Sequence, residues 1–255
     1  QTNNDWEAVL FCMLAKNFGL NANGETFLKI AQSIPFSIIR KESFEVENLE
    51  ALLFGKAALL DVDKEDNYFK DLKFRYFYLL HKYQLDSKTE AQVQFFKHRP
   101  DNFPTIRLSQ LAHLYHLHQN LFSKMNSNYS IEAIYQLFGV STSTYWENHY
   151  QFDKESQKKS KKLSKSFVDL LLINTIIPIQ FAYAKSIGEE ISEDLLAILL
   201  VVAPEKNSIV DKFHSFGIKA NNAFETQSLL QLKNEYCNAG KCLDCAIGME
   251  LLKKS

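Results

Sequence analysis

The stretch Asn67–Tyr83, NYFKDLKFRYFYLLHKY, decides the fold class. Its apolar residues Phe69, Leu72, Phe74, Phe77, Leu79 and Leu80 cover nearly every face of a helix. No sustained two-residue alternation of the kind a half-buried strand needs runs through it. The stretch is therefore expected to be a helix lying deep in the protein.

Helical patterns continue on both sides. Asp5 stands where a helix cap is expected, before a stripe of Trp6, Val9, Leu10, Met13 and Leu14 that runs to about Phe18 and stops at Gly19. Residues 25–32, 36–41 and 47–60 repeat the pattern, the last with Leu49, Leu52, Leu53, Leu59 and Leu60 inward. Further helices are expected over 105–122, 131–138, 166–185, 192–202, 207–216, 225–235 and 248–253, with Pro178 kinking the run at 166–185. Only 8 Gly and 5 Pro occur in 255 residues, so tight turns are scarce, which suits long helices better than many short strands. No repeat of solenoid period is present. The expected fold is all-α, an irregular multi-helix array.

Two helical subdomains are expected, residues 1–157 and residues 166–255 with a cysteine loop. The lysine-rich run between them, with Lys158, Lys159, Lys161, Lys162 and Lys165, reads as an exposed linker; the alternative is a run that touches phosphates without reading sequence. Hydrophobic residues at 46% and charged residues at 23% describe a globular chain rather than a disordered one. A net charge of −1 gives no global attraction to nucleic acid or anionic membrane, although a local basic patch stays open. The apolar run from Phe167 to Ala184 is interrupted by Asp169, Asn174, Pro178 and Gln180, so it reads as a core helix and no membrane partner is expected.

Four features carry chemistry. The sharpest is Cys237-Asn-Ala-Gly-Lys-Cys242-Leu-Asp-Cys245. A Cys-x-x-Cys turn brings two sulfurs together, the Gly240 loop lets a third approach, and Lys241 favours thiolates. Zinc or an iron–sulfur cluster is the expected cofactor, with His149, His214 or Cys12 as the fourth ligand; the alternative is a set of thiols in a helix-to-helix turn. Such a reduced cluster points to the cytoplasm. Next, Pro100 and Pro104 fix a turn flanked by His98, Arg99 and Arg107. Arginines on a rigid turn before a helix suit a phosphate or carboxylate, so Arg99 and Arg107 are the candidate anion-binding residues. The alternative is a structural elbow whose arginines pair with carboxylates of neighbouring helices. The Tyr145–Phe152 cluster, with Trp146 and His149, either stacks a ring or fills a core seam. His113, His116 and His118 lack an adjoining acid to complete a metal set and read as solvated or capping histidines. No glycine-rich phosphate loop, nucleophile elbow, His-Glu-x-x-His zinc motif or calcium loop is present, which argues against the common nucleotide, hydrolase and metalloprotease classes.

Several stretches together resemble one family. They are His98-Arg-Pro-Asp-Asn-Phe-Pro-Thr-Ile-Arg-Leu108, Tyr145-Trp146-x-x-His149-Tyr150-x-Phe152, Ile173-Asn-Thr-Ile-Ile-Pro178, and Asn234-Glu-Tyr-Cys237 through Cys245-Ala-Ile-Gly248. The combination is similar to an uncharacterised bacterial family, domain of unknown function 2851. The resemblance implies a longer protein with a separate N-terminal domain, of which this chain is the C-terminal part, and supplies no catalytic residues. Three roles follow as expectations: an interaction module for a phosphate-bearing partner such as nucleic acid, the helical part of an iron–sulfur or zinc enzyme, or a scaffold for the N-terminal domain. The iron–sulfur version is similar in outline to helical DNA-repair glycosylases, whose C-terminal loops use four cysteines where this one offers three.

Overall fold

A computed structural model describes residues 5–87, 92–96, 98–127 and 130–253. Residues 88–91 and 97, within the irregular 85–104 stretch, lie outside the described residues. The fold is all-α, with one two-stranded hairpin among the described residues. Inter-residue contacts divide the chain into two units, Gln1–Tyr183 and Ala184–Ser255. The division thus falls after the lysine-rich run, which belongs to the first unit.

In the first unit, the Asp5 carboxylate accepts the Glu7 and Ala8 N–H groups at 3.1 and 3.2 Å and starts α1 (Trp6–Phe18). Helix α2 (Leu20–Gln32) begins five residues earlier than its sequence pattern indicates. Gly24 lies so close to α1 that a Cβ there would sit 3.1 Å from the Lys16 carbonyl oxygen. Packing against α1 therefore overrides the weak helix preference of Asn21–Gly24. Asn23, fully buried, closes both of its amide bonds on the Gln94 backbone at 2.7 and 2.8 Å and so pins the 92–96 segment.

Helices α3 (Phe36–Glu42) and α4 (Val46–Lys56) follow. α4 stops four residues short of its sequence pattern because Ala58 turns to φ +57° and buried Lys56 donates to the Asp86 carbonyl. Gly55 in its last turn faces the Tyr76 ring, and a Cβ there would collide with that ring. Gly55→Ala is expected to destabilise the protein by about 1–3 kcal/mol through overpacking, despite the better helix propensity of Ala. Denaturant unfolding of the two proteins measures this, and a more stable variant would sink the argument.

Helix α5 (Asn67–Tyr83), capped by Asp66 at 3.0 Å, corrects the expectation of a deep helix. It buries one stripe of Phe69, Leu72, Tyr76, Leu79 and Leu80 and leaves Phe74, Phe77 and Tyr78 exposed. Its partner α4 covers a single face, and α6 (Pro104–Leu117) packs on α4 in turn. A short 3-10 turn, Pro100–Asn102, precedes α6. The expected helix over 105–122 breaks at His118 and resumes as α7 (Leu121–Asn126), because the Glu7 carboxylate accepts the Phe122 N–H at 3.0 and 3.1 Å. A carboxylate from α1 thereby caps a helix more than a hundred residues away in sequence.

After α8 (Ile131–Leu137), a 3-10 turn Thr144–Glu147 leads into the hairpin β1 (His149–Gln151) and β2 (Lys154–Glu155). The lysine-rich run then packs down instead of hanging free. Leu163 is buried and donates its N–H to the Val140 carbonyl at 2.9 Å, and Lys159 donates its N–H to that of Glu147 at 2.8 Å. Helix α9 (Lys165–Leu171) runs through a π turn, Leu172–Ile176, into α10 (Ile177–Ile187). Pro178 has no N–H for the helical ladder, and the widened turn before it takes up the mismatch. The helical run Lys165–Ile187 is long and apolar enough to cross a membrane by length and composition, yet most of it is buried as core.

The second unit packs α13 (Ala223–Gln231) against α11 (Ser192–Val201) and α12 (Ser208–Ser215). Leu195, Ile198, Val202, Val210 and Ala223 form its core. Asn207 and Asn222 cap α12 and α13 through their side-chain oxygens. A π turn over Leu232–Cys237 and the cysteine loop lead to α14 (Ala246–Lys253).

Candidate anion-binding site

Pro104 at the first position of α6 fixes the entry of that helix, and the 3-10 turn before it sets Asn102 beside Arg107. Arg107 is only 6% exposed. Its Nη1 donates to Gln110 Oε1 at 2.8 Å and its Nη2 to Asn102 Oδ1 at 2.5 Å, while Nε meets no acceptor. The guanidinium lies 3.5 Å over the Phe167 ring. Amide oxygens hold this arginine, in place of the helix carboxylates expected of a structural elbow. Burial pushes it down to about 10, with Asp101 pulling the other way, so it stays charged at neutral pH.

Gln110 passes the network onward by donating its Nε2 to the Lys161 carbonyl at 2.7 Å. Lys161 is 4% exposed, and its ammonium donates to the carbonyls of Trp146 and Glu147, the latter at 3.0 Å. Its Nζ sits 4.1 Å from the centre of the Tyr150 ring. Burial lowers its pKa, partly offset by Asp101. Two buried cations thus lie on one hydrogen-bonded chain with no ion pair to either of them among the described residues.

Between them opens a cavity of about 370 Å³, lined by Arg99, Asp101, Asn102, Arg107, Gln110 and residues 159–162 and 164. Five cations meet one carboxylate there. That carboxylate is taken: Asp101 pairs with Lys159 at 2.6 Å and accepts from the Tyr150 hydroxyl at 3.0 Å. Partial burial raises Asp101, but these two bonds outweigh it and hold it below the ordinary carboxylate range. Arg99 and Lys162 are exposed at the rim. The arrangement leaves donors and positive charge for an anion, and offers no nucleophile paired with a base.

The fold therefore unites two features that were separate in sequence, the arginine turn and the lysine run. The roles of Asn102 and Gln110 were missed. Gln110 stands three residues after Arg107, a spacing that puts both on one helix face and was available as a signal. The burial of Lys161 had no such signal.

The remaining candidates fall elsewhere. The Tyr145–Phe152 cluster fills a core seam: Trp146 is fully buried against Phe54, Tyr68, Tyr145 and Phe152. His149 stacks on Tyr145 at 4.0 Å and bonds to its carbonyl. His113 bonds to Ser143 Oγ at 3.0 Å and His116 to the Ser43 carbonyl at 2.8 Å, so neither is a freely solvated ring. His118 is within 3.4 Å of Lys124 Nζ. Cys237 and Cys242 are exposed and Cys245 is buried. His214 accepts the Ala220 N–H at 3.3 Å. Among the described residues no three His, Cys, Asp or Glu side chains, these thiols included, converge closely enough to hold a metal ion.

No curated protein and no solved structure matches the chain. Residues 1–208, which carry the whole arginine–lysine cavity, match the family described as Protein of unknown function (DUF2851), and the chain belongs to that family.

Proposed function

We propose that the cavity between the α6 entry turn and the 159–164 run binds a phosphate-type oxyanion, and that the chain docks a phosphate-bearing partner through it, nucleic acid included. One observation carries the reading: Arg107 is buried, charged and without a carboxylate, with its Nε unpaired. A buried cation without a counter-charge is costly, and an anion entering the cavity removes that cost. Guanidinium and ammonium groups at one site match phosphate in geometry and charge. The four unpaired cysteines are consistent with a reducing compartment such as the cytoplasm.

Thermal unfolding in sodium phosphate against sodium chloride at equal ionic strength tests the reading. Phosphate is expected to stabilise the protein, by about 2.7 kcal/mol once its concentration reaches a hundred times its dissociation constant. Arg107→Gln and the surface change Arg99→Gln are expected to reduce that gain. Equal stability in the two salts overturns the proposal.

A further inference from the structure

Resting on that reading, we infer that the cavity takes a terminal phosphate monoester rather than the internal diester of a nucleic-acid backbone. The charge inventory carries the inference. With Lys159 neutralised by Asp101, the lining still holds Arg99, Arg107, Lys161 and Lys162. An internal diester brings one negative charge per phosphate and has two of its oxygens esterified. A monoester brings about −1.5 to −2 at neutral pH and three free oxygens. Only the second approaches the charge of four cations gathered around a single cavity.

Geometry agrees. The Arg107 fork is already anchored on Asn102 and Gln110, so its orientation is set before any ligand arrives and little freedom is lost on binding. Because this arginine is buried, it reaches a phosphate that projects into the cavity at the end of a molecule more readily than one held within a passing chain. The volume of about 370 Å³ lies within the range of small-ligand pockets and leaves room for the group that carries the phosphate. A phosphorylated strand end and a free nucleotide share this chemistry.

Fluorescence anisotropy with short dye-labelled single-stranded DNA distinguishes them. Three strands of one sequence are compared at physiological ionic strength: 5′-phosphate, 3′-phosphate, and hydroxyl at both ends, with the dye placed internally. Adenosine monophosphate and adenosine serve as competitors. A phosphorylated end, or adenosine monophosphate over adenosine, is expected to bind at least about tenfold more tightly, the gain of one charge-assisted hydrogen bond. Arg107→Gln and the exposed change Lys162→Gln are expected to erase the preference; the second touches no buried group, so loss of fold cannot explain it. Preference for the strand alone or the nucleotide alone identifies the source, and either supports the inference. Equal binding of all three strands, together with no preference for adenosine monophosphate, overturns it while phosphate stabilisation leaves the oxyanion site standing. Failure of both experiments removes both readings.

Discussion

Trp146→Ala is expected to destabilise the protein by about 3–5 kcal/mol, the ordinary cost of truncating a fully buried large aromatic side chain. The indole is inaccessible to solvent and meets the rings of Tyr145, Phe152, Phe54 and Tyr68 at centroid distances of 5.0, 5.1, 5.5 and 6.0 Å. Those partners come from α4, α5 and the hairpin region, so the void would sit where three parts of the first unit meet. A second consequence follows from the backbone. The carbonyls of Trp146 and Glu147 hold the Lys161 ammonium, so a collapse of this turn is expected to weaken phosphate stabilisation as well. Trp146→Phe keeps most of the ring packing and is expected to cost less than half as much. Denaturant midpoints of the three proteins, each with and without phosphate, give the comparison. A loss below about 1 kcal/mol in the alanine variant would mean the cluster is not the core it resembles.

Between pH 5 and pH 8 the protein is expected to lose about 3 kcal/mol of stability that Glu50→Gln does not lose. Glu50 is fully buried in α4, and burial pushes it up to about 7 although Ser109, Tyr68 and Ser143 all donate to it. A carboxyl whose folded pKa lies above its unfolded value binds its proton more tightly in the folded state. Its favourable contribution is therefore complete below the ordinary carboxylate range and disappears as pH rises through about 7. His113 works on the acid side of the same window. Burial, and next the charge of His116, push it down to about 4, so stability falls as pH drops from the ordinary histidine range toward that value. Glutamine at position 50 leaves that histidine contribution in place, so the difference between the two proteins isolates Glu50. Parallel stability profiles would show that Glu50 does not change its charge in this interval. Because Ser143 Oγ donates to Glu50, its bond with His113 requires the Nε2–H tautomer of the ring.

The helix inventory was legible from local signals: apolar spacing, and the Asp5 cap. The departures from that inventory came from packing that apolar spacing does not encode. Gly24 against α1 extended α2, the Glu7 carboxylate restarted the chain as α7, and one-sided cover of α5 left Phe74 and Phe77 in solvent. The site divided in the same way. Arg99 and Arg107 stood out as candidates because two prolines fixed their turn, but the cavity they line is completed by residues 159–164, more than fifty positions later. A lysine run in sequence carries the same composition whether it is solvated or folded down. Its burial depends on the carbonyls of Trp146 and Glu147 and on the amide of Gln110, which meet Lys161 only through the tertiary fold. Sequence by itself determined that this protein is helical, because helix formation follows from neighbours three and four residues apart. Which of its charges face each other across a cavity was decided by tertiary structure, because desolvation and charge pairing depend on distance in space.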